Sequence, residues 1–184
     1  MFRPAGTTPG HALEFARLLL HYHELSGGAA PGAPEAPEAP EAPARARALV
    51  DTALRDAWLS EGGLAYTLGA DGRPARRDRY WWPVTEGLGA LAALQKVAPG
   101  PGDGAWYLRL REFAQAHFID HARGGWFPEI GPGGAPRQHQ FTGKPDIYHS
   151  LQAALYPLCP GVARPVEGLR TLASGPEGYG GASG

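Results

Sequence analysis

Cysteine is nearly missing from the chain: Cys159 is the only one in 184 residues. One thiol excludes an internal disulfide framework and any cysteine-rich metal site, and it favours a reducing compartment. A surplus of one charge sign is missing too. Seventeen Lys and Arg face 18 Asp and Glu, for a net charge of -1 and a pI near 6.7. Such a balance gives no electrostatic reason to expect nucleic acid or an anionic membrane as partner. No apolar run approaches the roughly 20 residues of a membrane span, and no basic-plus-apolar leader is visible. A cytoplasmic location is the plain expectation.

Glycine and proline are plentiful instead, at 27 and 19 residues, concentrated in Gly27–Pro43 and in the tail. Pro34-Glu35-Ala36-Pro37-Glu38-Ala39-Pro40-Glu41-Ala42-Pro43 repeats a triplet with no apolar bulk to bury. It reads as a solvated, extended spacer, so residues 28–43 are taken as an insertion. Residues 175–184 read as a disordered tail. The rest, 1–174, reads as one domain.

Helical periodicity dominates that domain. Thr8 can cap a first helix, Pro9 suits its first position, and Leu13, Ala16, Leu18, Leu19 and Leu20 supply one broad apolar face up to Ser26-Gly27. Further helices are expected over Ala44–Ser60, Pro83–Val97, Ala105–His121, Pro145–Tyr156 and Pro165–Ala173. Gly87, Gly89, Ala90, Ala92 and Ala93 suggest close packing of the third. Hairpins are expected to turn at Asp71-Gly72 and at Gly131–Gly134. A repeat underlies this order. Gly62-Gly63 and Gly124-Gly125 are 62 residues apart, as are Pro83 and Pro145. Each unit is a helix, a Gly-Gly stop, an aromatic hairpin and a Pro-started helix. Tandem helical hairpins with long loops on one face describe an α/α toroid.

The Pro-started helices should gather their first turns at one mouth. That groups His11, Glu14, Glu86 and His149, beside helix N-termini able to stabilise an oxyanion. His11 and Glu14 share a face of the first turn, where Glu14 can orient the ring or bond a substrate hydroxyl. A neutral imidazole there is what a general base needs. The plainer alternatives are a half-buried surface histidine and an ordinary Glu14–Arg17 pair. For His149 the plainer alternative is a structural histidine bonded to Asp146 or Tyr148. Trp81 and Trp82 can stack on a substrate ring with Glu86 on its hydroxyls; core packing and a helix-start carboxylate are equally good accounts. Arg3 is placed on the substrate or on the surface, and Lys144 and Asp146 on the substrate or in a local ion pair. His21 and His23 lack the second ligand pair of a metal site, and no metal is expected.

Phe2-Arg3-Pro4, Thr8-Pro9-Gly10-His11 and Leu13-Glu14-Phe15-Ala16-Arg17-Leu18-Leu19 closely resemble a segment of the N-acylglucosamine 2-epimerase superfamily. Tyr80-Trp81-Trp82-Pro83-Val84-Thr85-Glu86, Gly124-Gly125-Trp126-Phe127-Pro128-Glu129 and Gly143-Lys144-Pro145-Asp146-Ile147-Tyr148-His149 extend the likeness over most of residues 1–160. The resemblance is to the branch of aldose–ketose isomerases acting on mannose or sulfoquinovose. It implies an all-α (α/α)6 toroid, of which this chain holds about half, with short β-hairpin loops. It implies a cofactor-independent enzyme in which His11 and His149 are the two acid/base groups. Arg3, Glu14, Trp82 and Glu86 would bind a monosaccharide. One imidazole would take the C2 proton of the opened sugar to give a cis-enediol; reprotonation at C1 yields a ketose, and at C2 from the other face an epimer.

The matched stretch begins in mid-family. The chain is therefore expected to be the C-terminal part of a barrel, with Met1 an internal start. Its open helix faces would favour association, with a second copy or with a chain supplying the other half, and would leave little turnover by themselves. Outside the isomerases and 2-epimerases, two readings stay open. One is an (α/α)6 glycoside hydrolase, with carboxylates such as Glu14 and Glu86 roughly 5–10 Å apart across a cleft. The other is a non-catalytic remnant.

Overall fold

A computed structural model describes residues 5–27 and 41–174. Six helices alternate with short strands: α1 Pro9–Leu25, α2 Ala42–Ala57, β1 Thr67–Leu68, β2 Pro74–Arg76, β3 Arg79–Tyr80, α3 Trp81–Val97, α4 Asp103–His117, β4 Glu129–Ile130, β5 Pro136–Arg137, α5 Tyr148–Leu155 and α6 Pro165–Ser174. Most of the Pro-Glu-Ala stretch, the tail and Arg3 lie outside the described residues. None of the described helices is long and apolar enough to cross a membrane.

Helix α3 is the axle. It packs against α1, α2, α4 and α5, and every residue from Trp81 to Leu94 is buried. Its small residues permit that. A methyl group at Gly87 would stand 2.8 Å from Cδ1 of Leu110 on α4 and 3.5 Å from Cδ1 of Leu13 on α1. Larger residues would hold the neighbours off and open voids that a close-packed interior does not tolerate. Helix α1 contributes Leu13, Ala16 and Leu20 to the same core, and α2 contributes Val50, Ala53, Leu54 and Ala57.

The apolar face expected on α1 divides in two. Leu13, Ala16 and Leu20 are buried, but Phe15, Leu18, Tyr22 and Leu25 form a second stripe at helical spacing that the described residues leave exposed.

Helix starts depart from the prolines in instructive ways. Helix α3 begins at Trp81, two residues before Pro83. A proline in the first turn removes an N–H that has no helical acceptor anyway. The amide of Trp81 finds Pro128 O at 3.2 Å instead. Helix α5 begins at Tyr148, three residues after Pro145, because Oδ1 of Asp146 accepts the Tyr148 amide at 2.9 Å. Thr8 occupies the N-cap of α1 without a side-chain bond.

Both hairpins form where the glycines place them, β1 on β2 and β4 on β5, antiparallel. Strand β3 is an addition: Arg79 pairs with Ile130 and Tyr80 with Glu129, making a three-stranded sheet β3-β4-β5. This sheet joins the start of α3 to the loop before α5, and so fixes two cavity walls relative to each other.

Candidate active site

The N-terminal ends of α1, α3 and α5 open into one cavity of about 590 Å³. Helix α1 sends Thr8, His11 and Glu14 into it, and α3 sends Trp81 and Trp82. The far wall is Asp146, Tyr148 and His149, with Tyr66 and Phe141 closing the sides. A second hollow of about 580 Å³ lies between α1 and α2, and Arg45 is the only ionisable group among its described lining residues. The two histidines and two carboxylates lining the first make it the candidate for acid/base chemistry.

Trp82 is the shared wall between the two histidines. Its ring lies 5.0 Å from that of His11 and 5.9 Å from that of His149, tilted by 35° and 37°. The two imidazoles are thus no further apart than those two distances combined, and they face one opening. Gly10 makes this possible, because the edge of the indole occupies the space a side chain would need.

Glu86 is placed differently from expectation. It does not line the cavity. It is 1% exposed, beneath the wall, and both of its oxygens are engaged. Oε1 meets Nδ1 of His149 at 2.7 Å, and Oε2 accepts from Nε of Arg17 at 2.9 Å. Burial alone would raise its pKa, but the hydrogen bond to His149 and the charge and hydrogen bond of Arg17 outweigh burial and hold it below the usual carboxylate range. As an ionised carboxylate it can only accept, so the shared proton sits on Nδ1 of His149, and Nε2 is the ring nitrogen that Glu86 leaves unengaged. The direct bonding of substrate hydroxyls expected of Glu86 does not fit this position.

Arg17 is the other departure. It was the natural i,i+3 partner of Glu14, yet it turns inward and is only 2% exposed. Its position gave the signal. Residue 17 falls on the stripe of Leu13, Ala16 and Leu20, and a cation on a buried stripe requires a buried anion.

The loop before α5 is shaped by Glu129. Its side chain is fully buried, and Oε1 accepts the backbone amides of His139 and Gln140, the latter at 2.9 Å. This brings Phe141 against Trp81 and Tyr80, each at 5.3 Å between ring centres. Lys144 pairs with Asp120 and lies over Phe127, away from the cavity, while Asp146 lines it. Of the expected site residues, His11, Glu14, Trp82 and His149 meet in the cavity, and Glu86 stands behind His149. Tyr66 and Phe141 join them without having been singled out, and Tyr148, expected only as a partner of His149, lines the cavity too.

Known proteins resemble this chain in sequence and in fold. A family model described as N-acylglucosamine 2-epimerase (GlcNAc 2-epimerase) matches residues 1–153. The D-mannose isomerase of Pseudomonas cannabina pv. alisalensis is 37% identical over 173 residues, covering 91% of this chain and 41% of that protein. The D-mannose isomerase of Thermobifida fusca is 36% identical over 162 residues, with 86% and 38% covered. A crystal structure of D-mannose isomerase superposes with a TM-score of 0.70 at 31% identity, over 93% of this chain and 39% of the other. Cellobiose 2-epimerase from Spirochaeta thermophila DSM 6192 gives 0.64 at 22% identity, over 92% and 40%, a likeness of fold alone. The helices are thus a partial (α/α)6 toroid, and the chain spans about two fifths of the length of the curated relatives it matches.

Proposed function

The chain belongs to the N-acylglucosamine 2-epimerase family, and from that premise we propose that it carries the acid/base half of an aldose–ketose isomerase site for a sugar such as mannose. The observation that carries this reading is the pair of imidazoles, His11 and His149, on either side of Trp82 in one cavity.

His149 has the features of the base. Glu86 holds the proton on Nδ1, and Nε2 is free to take the C2 proton of an opened aldose. As that C–H bond breaks, its electron pair forms the C1–C2 double bond and the C1 carbonyl oxygen gains a proton, giving a cis-enediol. The enediol then loses its O2 proton, C2 becomes a carbonyl, and C1 receives a proton. His11, across the indole, is the second proton donor or acceptor, and it decides whether the proton returns to C1 or to the opposite face of C2. Glu14 and Asp146 are placed to bond hydroxyls. A general base supplies about 10²–10⁴-fold, and the remainder falls to positioning and to stabilisation of the enediolate.

Among the described lining residues the carboxylates Glu14 and Asp146 face the cavity, where they can accept hydrogen bonds from sugar hydroxyls. The 2-epimerase outcome uses the same groups and remains the alternative within the family. The glycoside hydrolase reading loses ground, because Glu86 is committed to Arg17 and His149 and cannot act across the cavity from Glu14.

Isotope wash-in tests the proposal. The chain at high concentration is incubated with mannose in deuterated water, beside a His11→Ala/His149→Ala double variant, and followed by proton NMR. Slow deuterium incorporation at C2, with fructose appearing above the double-variant level, is expected. Equal rates in the two samples would overturn it.

A further inference from the structure

We propose that Arg17, braced by Tyr156, is a positioning residue that fixes the tautomer of His149 by holding Glu86 as a carboxylate. The inference rests on reading His149 as an acid/base group, and it adds residues that touch neither the cavity nor a substrate.

The argument starts from burial. Glu86 sits on the most enclosed helix, and a carboxylate without a cation there would take up a proton. A neutral carboxylic acid is a donor as well as an acceptor. Its O–H could then point at Nδ1 of His149, moving the ring proton to Nε2. The nitrogen offered to the cavity would become a donor, and the base would be lost. Arg17 prevents this by presenting Nε to Oε2 of Glu86 at 2.9 Å, with the two side chains 2% and 1% exposed.

Arg17 is itself held on its far side. Nη1 donates to the Tyr156 hydroxyl at 3.2 Å, and the guanidinium carbon lies 5.4 Å from the centre of that ring. The Tyr156 hydroxyl in turn donates to Oε1 of Gln152 at 3.1 Å, so its lone pair faces Arg17. Gly89 leaves room for the crossing: a methyl group there would stand 3.1 Å from Cδ of Arg17 and 3.5 Å from the Tyr156 ring. The result is one chain of contacts, Gln152–Tyr156–Arg17–Glu86–His149, that leaves α5, crosses α1 and α3, and returns to α5 one to two turns earlier. A lysine would supply the charge from a single nitrogen, whereas the planar guanidinium reaches Glu86 and Tyr156 from two, Nε and Nη1.

The test reads the proton directly. The 184-residue chain is labelled with ¹⁵N-histidine, the His149 signals are assigned by loss in His149→Gln, and long-range ¹H–¹⁵N spectra are taken on the mildly alkaline side of neutrality. The wild-type protein is expected to show Nδ1 protonated and Nε2 bare. Arg17→Met should shift the Nε2 resonance toward the protonated position, Arg17→Lys should reverse part of that shift, and Tyr156→Phe should cause a smaller one. Circular dichroism checks that each variant is folded. Should Arg17→Met not fold, Tyr156→Phe decides. A folded Arg17→Met, or in its place a folded Tyr156→Phe, with His149 signals unchanged would overturn the inference, as would a wild-type His149 protonated on Nε2. Turnover is not needed for this measurement. Failed deuterium wash-in with the tautomer shift intact would sink the isomerase reading alone; normal wash-in with an unmoved tautomer would sink the positioning role alone.

Discussion

Gly10→Ala is the smallest change that separates packing around Trp82 from everything else about α1. The added methyl carbon would lie 2.3 and 2.5 Å from two carbons of the indole and 3.1 Å from Cβ of Pro83. Carbon atoms settle at about 3.5–4.0 Å, so the ring must retreat by about 1 Å or the helix must shift. Retreat is obstructed: His11, His149 and Tyr66 surround the indole at 5.0, 5.9 and 6.4 Å between ring centres. Forcing a methyl into such a site costs about 1–3 kcal/mol. Alanine opposes this with better helix propensity, worth up to about 1 kcal/mol and less in a first turn. Packing should win by about 1–2 kcal/mol, which lowers the melting temperature of a chain this size by roughly 2–8 °C. Gly104→Ala is the matched control. It is also the second residue of its helix, and nothing lies within 4 Å of the new carbon. It should gain only the propensity term and melt slightly higher. Thermal unfolding followed by far- and near-ultraviolet circular dichroism measures both. Gly10→Ala melting at or above Gly104→Ala would refute the claim that the indole is locked between the two imidazoles.

Acid sensitivity has a predictable sign. His21 is held down to about 4, first by burial and then by the charge of Arg17, and its Nε2 is buried without a partner. The unfolded chain binds this proton near pH 6.5, so the contribution of neutral His21 is complete above that value and is lost as pH falls from about 6.5 to about 4. The ring is only half-buried, which reduces the expected loss to about 1–2 kcal/mol. Glu86, with its folded pKa lowered, adds a separate loss beginning below about 4.3 and continuing as pH falls through its folded value. Urea midpoints at closely spaced pH values should decline through the first window, and His21→Gln should flatten it; a level wild-type profile from pH 7 to 4.5 would contradict the assignment. Lys96→Met should cost about 1–3 kcal/mol, because three carbonyls, of Tyr156, Cys159 and Gly161, share the Nζ group. Amide exchange should quicken over residues 156–162 in that variant, and unchanged exchange would show the clamp to be dispensable.

The helices were legible because their signal is local. Apolar spacing and the Pro and Gly punctuation place all six within a few residues, and the 62-residue offset correctly pairs the two hairpins. The errors lie where a distant partner decides. Pro83 reads as a helix start, but the carbonyl of Pro128, on a hairpin 45 residues later, takes the Trp81 amide and lets the helix begin sooner. Pro145 is a local exception: it reads the same way, but the neighbouring Asp146 turns the chain once more before α5. Strand β3 is two residues long and carries no period of its own; it exists because β4 is beside it. In the site, His11, Glu14 and His149 could be named because each opens a helix. Arg17 read as the near neighbour of Glu14, and Glu86 as a mouth residue bonding hydroxyls or a helix-start carboxylate. Their pairing spans 69 positions and depends on how α1 crosses α3, which no local pattern encodes.

Helix α1 also gives the molecule two unequal ends. Its first turn faces the cavity, and its far end at Leu25 lies 16 residues beyond Pro9, about 24 Å away at 1.5 Å per residue. The chain departs toward the Pro-Glu-Ala stretch from that remote end, at Gly27, and returns at Glu41. A change in the number of triplet repeats there leaves untouched the spacing of the residues that would meet a sugar. The hairpin of Glu129 and the turn at Asp146 have no such freedom, since one inserted residue would shift β4 against β3 or move His149 off Glu86. Variation among natural or laboratory-made versions should therefore be lopsided, with length drifting at one pole and spelling conserved at the other.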